Sequence, residues 1–145
     1  MIEVPAGFQV MAPFDLVTDA LSPLYMRKDD DGRLALGFHV GKQHCNPRGI
    51  CHGGTWATLA DIVMGVNVGL ITGLTGPTVS LGIDFLSSAN EGQWVEAQAR
   101  VLRHTHRLAF ADCFFTADGE AALRANAVFR RKYPPYHGSD RLREP

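Results

Sequence analysis

The sequence predicts an α+β domain in which an antiparallel sheet wraps one long central helix. Three observations carry that expectation. Residues from about 55 to 72 are helix-compatible and apolar around nearly the whole helical circumference, so a helix there should be buried on most sides. One segment of strand periodicity precedes it, and four strand-like segments joined by short turns follow it.

The chain has 145 residues, 46% of them hydrophobic, which suffices for one domain, residues 1–145, around one core. Residues 1–30 carry Pro5, Pro13 and Pro23 between short apolar groups such as Phe14, Leu16 and Val17, and read as a loosely organised lead-in with room for one short helix. Asp31-Gly32 signals a turn. Leu34, Leu36, Phe38 and Val40 then alternate with Arg33, Ala35, Gly37 and His39, as expected of a half-buried strand over about 33–41. Segment 44–49 carries turn residues, and Gly53-Gly54-Thr55 leads into the helix. Beyond Gly73, strands are expected at about 78–87, 93–103, 107–117 and 121–131. Ala89-Asn90-Glu91-Gly92, His104-Thr105-His106 and Asp118-Gly119 supply their turns, and connections this short imply antiparallel pairing. Residues 133–145 contain Pro134, Pro135, Gly138 and Ser139 without periodicity and read as a flexible tail.

Fourteen basic and fifteen acidic residues give a net charge of -1, which provides no global field for nucleic acid or an anionic membrane. Neither is expected as a partner. Cys45, Cys51 and Cys113 are odd in number and read as reduced thiols, which points to the cytoplasm. The first residues lack the basic start and apolar run of a secretory signal. Between Gly49 and Ile83 the only formal charge is Asp61, yet recurring Gly, Thr, Asn, Ser and Pro leave no continuous apolar run of about 18 residues, so the region reads as core rather than a membrane span.

A carboxylate within an apolar helix is costly unless it is paired, hydrated or faces a cavity. Asp61 therefore either bonds a neighbouring backbone or hydroxyl group or does chemistry. Upstream, His52-Gly53-Gly54 places two residues without side chains where the helix begins, so backbone N–H groups and the positive end of the helix dipole face open space. That arrangement suits a polarised carbonyl oxygen, although a Gly-Gly pair also serves a helix entry that needs unusual backbone angles.

Asn46-Pro47-Arg48-Gly49-Ile50-Cys51-His52-Gly53-Gly54-Thr55-Trp56-Ala57-Thr58-Leu59-Ala60-Asp61, followed by Thr78-Val79-Ser80-Leu81-Gly82-Ile83-Asp84-Phe85-Leu86, closely resembles the hotdog-fold acyl-CoA thioesterases of the phenylacetate-degradation type. The resemblance extends over about residues 33–131. It implies the hotdog fold, hydrolysis of an acyl-CoA thioester without metal or redox cofactor, and catalytic roles for Asp61, Gly53, Asn46 and Thr78. Asp61 is then nucleophile or general base, the Gly53 N–H binds the thioester carbonyl, and Asn46 holds the attacking group or water. Thr78 assists from the start of the next strand, with Ser80 the second candidate for that place. The resemblance further implies a homodimer with shared sites, often paired into a dimer of dimers.

Spacing leads independently to a shared site. Gly53 and Asp61 are eight residues apart on one helix, about 12 Å along its axis, whereas reacting groups must approach to about 3 to 3.5 Å. Two antiparallel copies related by a two-fold axis bring them together.

His52, Gly54 and Trp56 are expected at the substrate, His52 by positioning the Gly-Gly turn and Trp56 by lining a pocket with Leu59 and Phe85. Arg103 and Arg107, beside His104 and His106, are candidates for the phosphates of coenzyme A, for which guanidinium groups are suited; similar proteins often carry Gly near this turn. His44, Cys45, Cys51 and His52 are potential zinc ligands, but the five residues between the cysteines do not match the usual short spacing, and no metal is expected. Cys51 lacks a placed base, because His52 beside it on an extended segment points away. The alternative function is a non-catalytic acyl-CoA-binding or regulatory protein with the same cavity. A hydratase-type hotdog enzyme lacks its usual Asp and His pair here.

Overall fold

The structure, a computed structural model, describes residues 3–135. Its strands are β1 Gln9–Val10, β2 Tyr25–Lys28, β3 Leu34–His39, β4 Thr78–Phe85, β5 Trp94–His104, β6 Leu108–Ala117 and β7 Glu120–Arg130, with helices α1 Leu16–Asp19 and α2 Gly53–Thr72. The strands form one antiparallel sheet in the order β1-β2-β3-β5-β6-β7-β4, and α2 packs across β5, β6 and β7.

The short turns behave as their residues dictate. Asp118 and Gly119 both take positive φ, 48° and 85°, between the paired residues Ala117 and Glu120, as a two-residue hairpin requires. At the β5–β6 turn Thr105 N–H donates to Leu108 O at 2.8 Å.

The lead-in is more ordered than its sequence suggests. β1 and β2 extend the sheet beside β3, although two residues of β1 and Tyr-Met-Arg-Lys of β2 offer no alternation to read. Backbone pairing and Arg27, bonded to both Asp29 and Glu96, hold them there. β3 is buried on both faces rather than one. Trp94 fills the space over Gly37, where an added Cβ would lie 2.3 Å from its ring, and Phe8 meets Trp94 edge-on at 5.2 Å.

Leu59, Val63, Met64 and Val68 seat α2 on the sheet. Asn67, fully buried in the same face, accepts from Leu34 N–H and donates to Leu34 O, both at 2.9 Å, and donates to Val63 O at 2.8 Å. Gly73 at φ 77° caps the helix end, and Arg131 donates to Thr72 O and Thr105 O, clasping that end to the β5–β6 hairpin. The opposite face departs from the expectation of burial on most sides: Leu70 and Ile71 are about half exposed, as are Val79 and Phe85 on the edge strand β4. By length and composition α2 is sufficient to cross a membrane, but half of it is packed inside the fold.

Tyr133, where a flexible tail was expected, exchanges backbone hydrogen bonds with Thr75 at 2.7 and 2.8 Å. The remainder of that tail, residues 136–145, lies outside the described residues.

Candidate active site

Two features, separated along α2, form the site. The first is the helix entry. His52 is the N-cap, extended at φ -66° and ψ 139°, and its Nδ1 accepts from Gly54 N–H at 2.8 Å. A Cβ on Gly54 would lie 3.1 Å from that nitrogen, so the second glycine allows the ring to fold over the turn. Gly54 N–H is thus occupied by the cap. Gly53 N–H is not: at the first helical position it has no partner among the described residues, and Gly53 is exposed.

Asn46 belongs to this end. In the turn before the helix its Oδ1 accepts from Arg48 N–H at 2.9 Å, Gly49 sits at φ 76°, and Cys45 and Cys51 pair across the base. His44 anchors the turn from below, its Nδ1 accepting from Gly41 N–H at 2.8 Å and its Nε2–H donating to Leu21 O at 2.6 Å. Both ring nitrogens are engaged, and burial lowers its pKa.

The second feature lies two turns along the helix. Thr78, the first residue of β4, donates from Oγ1 to Oδ1 of Asp61 at 2.6 Å. Both line a cavity of about 630 Å³, bounded largely by apolar side chains such as Ile62, Val66 and Phe129. Ser80 is exposed and not part of this wall. Asp61 thus combines the two readings of a helix carboxylate, bonded to a hydroxyl and facing a cavity. Its separation from Gly53 stands at about 12 Å along the axis, and one chain does not present both to one carbonyl.

Other candidates are placed elsewhere. Trp56 is only 2% exposed and packs edge-on against Phe115 at 5.4 Å. It belongs to the core rather than to the cavity wall, because the helix face that carries it is the one against the sheet. Arg103 and Arg107 are exposed on the hairpin that Arg131 ties to Thr72, at the opposite end of α2 from Gly53, about 28 Å along the helix. The Cys51 and Cys113 thiols are pushed up to about 12 by burial, which removes thiolate character from both. Sequence reasoning missed Asn67, whose only signal was an amide between Val66 and Val68, and the cavity residues Gly65, Gly69, Met11 and Met26.

Residues 48–123 match the thioesterase superfamily. A Pseudomonas aeruginosa protein provisionally named an esterase is 32% identical over 131 residues, covering 89% of this chain and 98% of that protein. Mouse acyl-coenzyme A thioesterase 13 is 29% identical over 117 residues, 80% of this chain and 76% of its own. The E. coli PaaI protein from the phenylacetic acid degradation operon superposes with a TM-score of 0.74 at 22% identity, over 83% of this chain and 87% of that one, which shows a shared fold. With the helix-wrapping antiparallel sheet and the match over more than half its length, the chain belongs to the thioesterase superfamily, as a hotdog-fold hydrolase of thioesters.

Proposed function

We propose that this chain hydrolyses acyl-CoA thioesters to free acid and coenzyme A, as a homodimer whose sites each draw on both subunits. The 2.6 Å hydrogen bond from Thr78 to Asp61 on the wall of an apolar cavity carries this reading, because it fixes a carboxylate where an acyl group can lie. The acyl-CoA thioesterase of mouse named above supports the choice of thioester.

The unengaged Gly53 N–H of the second subunit binds the thioester oxygen as negative charge develops on it, reinforced by the helix dipole. Asp61 then acts in one of two ways. It attacks the carbonyl carbon, expelling the coenzyme A thiolate and leaving an anhydride that water opens; or it takes the proton of a water that attacks, with the same products. Asn46 of the second subunit holds the attacking group. Exposed Leu70, Ile71, Val79 and Phe85 supply the apolar surface for association, and two dimers pair in turn. His52 and the exposed Arg103 and Arg107 are contacts for the coenzyme, the arginines at its phosphates.

Thiol release from a panel of acyl-CoA substrates tests the reading. Asp61→Asn preserves size and is expected to cut kcat by roughly 10²- to 10⁴-fold. Undiminished turnover by this variant removes Asp61 from the chemistry. Tight binding without hydrolysis by the wild type across the panel favours an acyl-CoA-binding protein.

A further inference from the structure

The cavity that Asp61 and Thr78 line does not end beside them. It continues along α2 past Gly65 and Gly69, one and two turns on, to Tyr133 and Pro135. Met11, the residue after β1, and Met26 of β2 line it from the lead-in, together with Ile62, Val66 and Leu70 of the helix. Gly65 and Gly69 leave the floor without side chains; a Cβ on Gly65 would lie 3.3 Å from the Phe129 ring, and one on Gly69 3.3 Å from Pro135.

The chemistry of this extension is that of a hydrocarbon site. Asp15, also on its wall, is committed as the N-cap of α1, accepting from Thr18 N–H and Thr18 Oγ1, both at 2.9 Å. Thr75 Oγ1 turns to Gly65 O at 3.5 Å. Thioether side chains on the wall adapt to flexible apolar ligands. From Asp61 to Gly69 the floor runs about 12 Å. An extended chain advances roughly 1.2 Å per bond, since three backbone bonds span about 3.3 to 3.6 Å, so about ten bonds fill the length.

We infer that the groove beside Asp61 receives an unbranched medium-chain acyl group of about eight to ten carbons, lying along the glycine floor of α2 under Met11 and Met26. The inference rests on the thioesterase reading of Asp61 and adds the acyl class to it. Each methylene buried there is worth a factor of roughly four in kcat/KM, so four methylenes favour octanoyl over butyryl roughly 250-fold.

The test is kcat/KM for acetyl-, butyryl-, hexanoyl-, octanoyl-, decanoyl-, palmitoyl- and phenylacetyl-CoA with the wild type, Val66→Phe and Gly65→Ala. The wild type should rise to a maximum at octanoyl or decanoyl, and the octanoyl-to-butyryl ratio should fall at least tenfold in Val66→Phe and less in Gly65→Ala. A maximum at acetyl or phenylacetyl overturns the inference. So does an unchanged ratio in both variants, including the case where their only effect is on oligomeric state, which would place a second copy in the groove. Calorimetric binding of decanoyl-CoA and butyryl-CoA to the same proteins separates acyl class from catalysis. Tighter decanoyl-CoA binding that Val66→Phe abolishes sustains the groove assignment even if no substrate is hydrolysed, and equal binding of the two overturns it.

Discussion

The hydroxyl of Thr78 reaches Oδ1 of Asp61 at 2.6 Å, tying the first residue of β4 to the middle of α2 on the wall of a largely apolar cavity. A bond to a carboxylate oxygen contributes about 1.5 to 3 kcal/mol. Thr78→Val is therefore expected to lower kcat roughly 10- to 100-fold, with Thr78→Ser recovering most of it. Steady-state thiol release by the three proteins decides this, and equal rates in Thr78→Val and wild type would show that the bond orients nothing.

Gly53 occupies the first helical position, where proline is tolerated, and the extended His52 before it suits a following proline. Gly53→Pro deletes the N–H with little cost to the helix. A loss of about 10²- to 10³-fold in kcat with a nearly unchanged melting temperature is expected. Co-expression of Gly53→Pro with Asp61→Asn should restore about half the wild-type rate in mixed dimers, because one of the two shared sites then carries neither defect. No restoration would place both residues in one subunit's site.

The thiols of Cys51 and Cys113, held up at about 12 by burial, should resist iodoacetamide at about pH 8 until the chain is unfolded, as read by mass spectrometry of the alkylated peptides. Cys51→Ala should retain turnover. Rapid alkylation of Cys51 in the native protein would contradict its burial.

Burial holds the His44 imidazole below its ordinary value of 6.5, so the unfolded chain takes up the proton more readily than the folded one. Its contribution to stability is complete above 6.5 and is lost as pH falls below it toward the depressed folded value. Urea midpoints at about pH 7.5 and 5.5 should fall with acidity in the wild type and fall less in His44→Gln. A steeper fall in the variant would reverse the sign.

Asn67→Ala removes three hydrogen bonds from a fully buried site and strands both backbone groups of Leu34. Urea denaturation should show a loss of about 2 to 4 kcal/mol. A change near zero would mean that water or a rearranged strand takes over those bonds.

The helix and the four strands after it were legible because each has a strong period and ends in turn residues that permit little else, Asp118-Gly119 above all. β1 and β2 were not, because backbone pairing with β3 holds them and four or fewer residues show no alternation. Asp61 stood out as the one charge in an apolar stretch. Trp56 was assigned to the cavity and lies in the core, since a helix apolar all round gives no phase by which to tell its sheet face from its open face. Asn67 and the glycine floor went unread for a related reason: an amide or a missing side chain within a helix acquires meaning only from what packs against it.

Met11 and Met26 come from the lead-in, the first just after β1 and the second within β2, apart in sequence from the helix entry, Asp61 and Thr78. The proposed groove thus draws on two stretches of chain, α2 with its glycine floor and the lead-in with its two methionines. Substitutions at Met11 or Met26 therefore reshape the lead-in wall of the proposed groove while Asp61, Thr78 and Gly53 keep their places.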